Sequence, residues 1–361
     1  MRWSYRIATL FGTEIRIHVT FVALLAWYAF MAWRVGGEAA AAWAVGFLSL
    51  VFASVLLHEF GHVLMAKRFG IRTPDILLSP IGGLARLERM PEEPRQELLV
   101  ALAGPAVTLG IVVILAGARS LSADPQALWV FDPGQERLLP ALLRANIVLL
   151  GFNLLPAFPM DGGRVLRAIL SSRIGAVRGT RIAARIGQVF AFGLGLFGLW
   201  ASPMLVLIAG FIYLAAEAEA NAVETRAAGQ GMTAAAMMIT NLRTLPVYAT
   251  LTDAIALLLS GEQREFPIVD NDGRLEGMLT RDHLIRGLAE QGPGATVGTV
   301  MAAGVEGIPP SLSFDRAMDR LRAGGLAALP VVTPDRVVIG LITADNVTDL
   351  LLVRRHLPAA R

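Results

Sequence analysis

SVLLHEFGHVLMAKRFG, residues 54–70, sets His58, Glu59 and His62 at the end of an almost wholly apolar run that begins at Ala39. On a helix, His58 and His62 are four apart and project from one face, where a single Zn²⁺ can bridge them. Glu59 between them can reach a metal-bound water as general base. A charged group at membrane depth costs about 2.5–3.5 kcal/mol on insertion scales, so three ionisable groups in one turn need a compensating partner. The competing account makes them interfacial polar residues at a helix end, with Lys67 and Arg68 marking the headgroup region.

The surroundings are those of a membrane protein. Of 361 residues 55% are hydrophobic and only 17% charged, and the mean hydropathy is +0.57. Six apolar segments precede residue 220: 17–33, 39–66, 98–118, 138–155, 186–200 and 203–216. A span needs about 20 apolar residues, and the last two segments fall short individually. The first has no A-x-A-like cleavage site before or within it and is expected to be retained.

With the N-terminus cytoplasmic, fifteen Lys and Arg fall in inside segments, and only Arg34, Arg119, Arg137 and Arg144 fall outside. That bias predicts a multi-pass protein of the cytoplasmic membrane with its N-terminus and everything after residue 220 in the cytoplasm. The basic excess lies in the membrane-like part, which has 20 Lys and Arg against 15 Asp and Glu up to Gly231. It is spread along loops, so it argues against a nucleic-acid partner.

From Met232 the pattern becomes that of a soluble α/β module. A repeat is visible at an offset of 63 residues: Met238 matches Met301, Pro246 matches Pro309, Gly261 matches Gly324, and Thr280 and Asp282 match Thr343 and Asp345. Two β-α-β-β-α units joined through Gly292 to Gly294 are expected. The fold class is therefore a polytopic α-helical membrane domain of about six spans (1–220), a linker (221–231) and two soluble repeats (232–292 and 293–361).

A catalytic zinc wants three protein ligands and an open position. Cysteine is absent and the remaining histidines are His18, His283 and His356. A better third ligand lies in NIVLLGFNLLPAFPMDGGRVLRAIL, where Asp161 is a lone carboxylate after an apolar segment broken by Pro156 and Pro159. Broken backbone at membrane depth is tolerable only where it lines a protein-enclosed cavity. The alternative for Asp161 is a helix N-cap at the membrane surface.

HEFGH together with NLLPAFPMDGG, which fits N-x-x-P-x-x-x-x-D-G, resembles the site-2 protease family of intramembrane zinc metalloproteases. GGLARLERMPEEPRQELLVALAGPAV is similar to that family's stretch leading into its third core helix. The soluble repeat resembles a tandem CBS pair. The resemblance implies that His58, His62 and Asp161 bind one Zn²⁺, that Glu59 activates water, and that Asn153 donates a hydrogen bond to the substrate carbonyl or developing oxyanion. Helix packing is the other role open to Asn153, though Asn146 has the stronger claim to it. One departure is that the family has an Asn shortly after AGP, where this chain has Thr108.

The implied reaction is amide hydrolysis within or near transmembrane segments of membrane-tethered regulators, of which anti-sigma factors are the type the family suggests. Residues 74–89 resemble the family's membrane-associated β-hairpin and are expected to pair with an extended substrate, a plain cytoplasmic loop being the alternative. CBS pairs often bind adenosine nucleotides through G-h-h-[ST]-x-x-D. Here GMLTRDH and GLITADN keep Thr280 and Thr343, while Asp282 and Asp345 fall one position early and His283 and Asn346 take the ribose position. The resemblance thus leaves two roles for the module, nucleotide sensing and homodimerisation. The competing functional class is a non-catalytic metal-binding membrane scaffold or a CBS-gated transporter.

Overall fold

The computed structural model describes residues 3–80, 82–88, 91, 93–121, 137–261, 263–323 and 327–356. Arg2 and Arg89 of the charge count and Gly324 of the repeat lie outside them. The chain divides into two compact units, Met1–Val223 and Glu224–Arg361.

The first unit opens with a feature absent from the sequence expectations. Strands β1 (Ser4–Leu10) and β2 (Thr13–His18) form an antiparallel hairpin. After helix α1 (Val19–Arg68), strands β3 (Asp75–Ser79) and β4 (Gly82–Ala85) complete a sheet of order β1-β2-β3-β4, with β2 and β3 parallel. One face of this sheet packs Ile15, Ile76 and Leu78 onto Phe60 and Val63 of α1. That contact seats the sheet on the helical turn that carries His58 to His62.

Helix α1 is not a straight rod. Its backbone leaves helical geometry at Gly37, φ 68° and ψ −157°, a left-handed conformation open to glycine. The rings of Phe21 and Phe52 lie with centroids 4.4 Å apart, whereas 31 residues of straight helix would separate them by about 46 Å. The chain therefore doubles back at Gly36–Gly37, and the first two apolar segments become the two arms of a helical hairpin. His18 caps the first arm by accepting from the Thr20 N–H.

Helices α2 (Pro94–Leu121), α3 (Leu138–Asn153), α4 (Asp161–Ile174), α5 (Ala176–Ala201) and α6 (Pro203–Gly229) follow. Four helices, α1, α2, α5 and α6, are long and apolar enough to cross a membrane, and α3 is a shorter apolar helix. The six apolar segments of the sequence fall on these four helices, two of them on α1, and on α3. The two segments that looked too short are helices of 26 and 27 residues. Over the expected linker at 221–231 the chain is helical: ANAVETRAAG is rich in strong helix formers, and α6 continues to Gly229, while the division between the two units falls within that stretch, after Val223.

In the second unit, α7 (Ala234–Met237) and β5 (Leu245–Pro246) lead into α8 (Leu251–Leu259), β6 (Phe266–Val269), β7 (Leu275–Leu279) and α9 (Arg281–Gln291). The second copy comprises α10 (Val297–Val300), β8 (Ala302–Ala303), α11 (Phe314–Ala323), β9 (Ala328–Val332), β10 (Val338–Thr343) and α12 (Ala344–His356). The copies exchange their leading segments. β8 of the second copy pairs with β7 of the first, and Ile239 of the first bridges Leu341 on β10 of the second. Met301 and Met238 likewise pack against Gly277 and Gly340 of the opposite copy.

Candidate metal centre

His58 and His62 lie on the second arm of α1, both buried, with one ring nitrogen each already engaged. His62 Nδ1 is 2.7 Å from the carbonyl oxygen of Val100 on α2. A carbonyl only accepts, so Nδ1 carries the proton and Nε2 is left with its lone pair. His58 Nδ1 is 2.8 Å from Thr108 Oγ1, whose hydroxyl donates to the Gly104 carbonyl at 3.4 Å. With that hydrogen committed, Thr108 accepts from His58 Nδ1–H, and the same tautomer results. Thr108, left without a role by the sequence pattern, thus orients a histidine.

Asp161 is the first residue of α4. The helix N-cap is Met160, so the capping alternative for Asp161 does not hold. Its Oδ2 lies 3.0 Å from His58 Nε2 and 3.2 Å from His62 Nε2, and the two Nε2 atoms are 3.1 Å apart. The three residues are buried and can present one donor atom each within 4.8 Å of one another. A tetrahedral zinc with bonds near 2.0–2.1 Å sets ligand atoms about 3.3 Å apart, so the donor set fits such an ion.

Gly104 of α2 keeps this space open. A Cβ there would sit 2.3 Å from His62 Nε2 and 2.7 Å from His58 Nε2. The AGP stretch assigns its glycine no task from sequence alone, although an interior glycine in an apolar helix is the available signal. Val100 acts through its backbone carbonyl and carries no sequence signal at all.

Glu59 reaches the sheet, with its side chain beside Gly83 of β4. The Arg86 N–H bonds the Asp75 carbonyl on β3, so in the alternating antiparallel ladder the Ala85 N–H points to the open side of β4. Glu59 Oε2 accepts that N–H at 3.3 Å. The candidate base therefore sits on the free edge of the sheet, one residue along the helix from a metal-ligand candidate.

Asn153 ends α3 and is partly buried. Among the described residues no hydrogen bond joins it to His58, Glu59, His62 or Asp161. Asn146 is buried, donates to Leu142 O of its own helix at 2.9 Å and leaves its Oδ1 without a partner. Thr280 caps α9, accepting from the His283 N–H, with its Oγ1 2.8 Å from His283 Nδ1. Asn346 Oδ1 accepts from the Thr343 N–H and hydroxyl, and its amide donates to the Met237 carbonyl at 2.6 Å. Asp282 and Asp345 stand exposed in the first turns of α9 and α12.

These features define a buried, carboxylate-completed cluster that could hold a metal ion, inside an apolar helical unit. The model of peptidase family M50 matches residues 46–125 and 129–194, and the CBS domain model matches 234–290 and 297–353. The zinc metalloprotease MJ0392 of Methanocaldococcus jannaschii is 36% identical over 286 residues, 77% of this chain and 78% of its own. Stage IV sporulation protein FB of Bacillus subtilis is 27% identical over 156 residues, 42% of this chain and 50% of its own. A solved site-2 protease from Methanocaldococcus jannaschii is 37% identical, covering 60% of this chain and 95% of that one, with a TM-score of 0.45.

The chain belongs to peptidase family M50, the site-2 proteases, and carries a tandem CBS pair. It is a zinc-dependent membrane metalloprotease.

Proposed function

We propose that this protein hydrolyses peptide bonds within or near the transmembrane segments of membrane-tethered regulatory proteins, such as anti-sigma factors. The observation that carries the proposal is the convergence of His58 Nε2, His62 Nε2 and Asp161 Oδ2 beside a glutamate on an open strand edge. His58, His62 and Asp161 hold the zinc. When bound, the ion supplies Lewis acidity for the scissile carbonyl and lowers the pKa of water toward 7. Glu59 takes the proton from the attacking water and returns it to the leaving nitrogen. Asn153, whose side-chain amide makes no hydrogen bond among the described residues, donates to the developing oxyanion.

A substrate helix hides its amides in its own hydrogen bonds and must be extended before attack. The free edge of β4 gives the extended chain a backbone partner, and Glu59 sits on that edge. The membrane unit crosses the bilayer six times, counting both arms of α1 and α3, with the N-terminus and the CBS pair in the cytoplasm. That orientation rests on the Lys and Arg bias.

The CBS pair modulates the protease, and an adenosine nucleotide is its ligand, with Thr280, Asp282, Thr343 and Asp345 as contacts. The two threonine hydroxyls would leave their caps to meet phosphate. Calorimetry on the full chain with ATP, ADP and AMP tests this, and silence with all three favours a homodimerisation platform. For the protease, Glu59→Gln should retain zinc while cleavage of a membrane-embedded substrate falls by about 10²–10⁴-fold. Equal cleavage by mutant and wild type would sink the mechanism.

A further inference from the structure

We propose that Arg167 is a positioning residue for the metal centre, clamping the helix that carries Asp161 to the helix that orients the ligand histidines. This rests on the metal-site reading above. Arg167 lies on α4 six residues after Asp161 and is 5% exposed. Its guanidinium pairs with Glu97 of α2 through Nε and Nη2, and with Glu219 of α6 through Nη1. Its charged end also lies 5.6 Å from the ring centre of Phe158, in the segment that delivers Asp161.

Glu97 is placed to matter. It stands one turn before Val100, whose carbonyl sets the His62 tautomer, and Gly104 and Thr108 follow on the same strip of α2 at helical spacing. A buried ion pair is weak evidence for stability, because desolvation offsets the attraction. What the planar fork does supply is fixed relative geometry between the elements that bear its carboxylates. Here that geometry is the register of α2 against α4. Slippage there would carry Asp161 Oδ2 away from the two Nε2 atoms and Val100 O away from His62. Among the described residues Arg167 makes no hydrogen bond to His58, Glu59, His62 or Asp161, so it acts only through the helices.

The test is Co²⁺ titration of the full-length protein in detergent, comparing wild type, Arg167→Lys and Glu219→Gln. Arg167→Lys keeps the charge and loses the fork. Its cobalt d–d absorption should shift or change intensity, and zinc affinity, measured against a chelator, should fall on the order of 10-fold or more. Peptide-bond turnover should lose kcat with KM unchanged, while the metal-free protein melts close to wild type. Glu219→Gln, the milder change, should move the cobalt spectrum in the same direction by less. Wild-type spectra and zinc affinity in both variants would overturn the proposal, even if thermal stability fell. No cobalt uptake by wild type would instead overturn the metal-site reading beneath it.

Discussion

The metal cluster and the CBS unit both present polar residues that a sequence pattern singles out, and folding treats them in opposite ways. His58, His62 and Asp161 have their outer faces satisfied or buried, and their remaining donor atoms converge within 3.2 Å. Thr280, Thr343 and Asn346 direct the same kind of capacity into helix caps and the Met237 carbonyl. A motif residue signals a ligand when hydrogen-bonding capacity is left over after the fold has used what it needs. By that measure the membrane unit holds a candidate site whose donor atoms already converge, while in the CBS unit the corresponding groups are engaged in internal bonds.

The sharpest way to break this contrast is Asp161→Ala. It should abolish zinc retention, read by metal analysis of the purified protein, and leave unfolding of the CBS unit unchanged. Gly104→Ala comes next, since its methyl would enter the space between the imidazoles; zinc affinity should drop about 100-fold by chelator competition. Thr108→Val removes only the partner of His58 Nδ1 and should cost about 10-fold by the same assay.

In the CBS unit the effects should be on stability. Asn346→Ala strands the Met237 carbonyl and the Thr343 cap, and should lower unfolding free energy by about 1–2 kcal/mol in denaturant titrations. The smallest effect concerns the capping box of α8. Hydrogen bonds from the Thr250 backbone and side chain hold Asp253 below the usual carboxylate range. A depressed folded-state pKa stabilises above the unfolded value, about 4, and the contribution fades as pH falls through the folded value. The melting difference between wild type and Asp253→Asn should therefore be present at neutral pH and vanish in acid.

The convergence of the candidate ligands was legible wherever a side chain announced itself. Helical spacing put His58 and His62 on one face, and Asp161 stood out as a lone acid after paired prolines. The clamp of α2 on the histidines was not legible, because a carbonyl oxygen has no letter and the task of Gly104 exists only where α1 and α2 meet. The β1–β2 hairpin was hidden for a different reason. Its alternation of Tyr5 and Ile7 with Ile15 and Ile17 around Gly12 was readable, but the second strand runs into the apolar segment that signals the first helix. The helical state of residues 221–229 was not legible either, because the apolar run that signals α6 stops at Ala216 while the helix continues to Gly229.

The exchange of leading segments between the CBS copies has a consequence for how they come apart. Neither copy holds a complete sheet from its own residues, because β8 finishes the first and Ile239 bridges to the second. Scission at Gly292–Gly294 would yield fragments that need each other to close their cores, so the pair should melt in a single transition with no half-unfolded species. Any ligand that tightens one copy then raises the melting point of both.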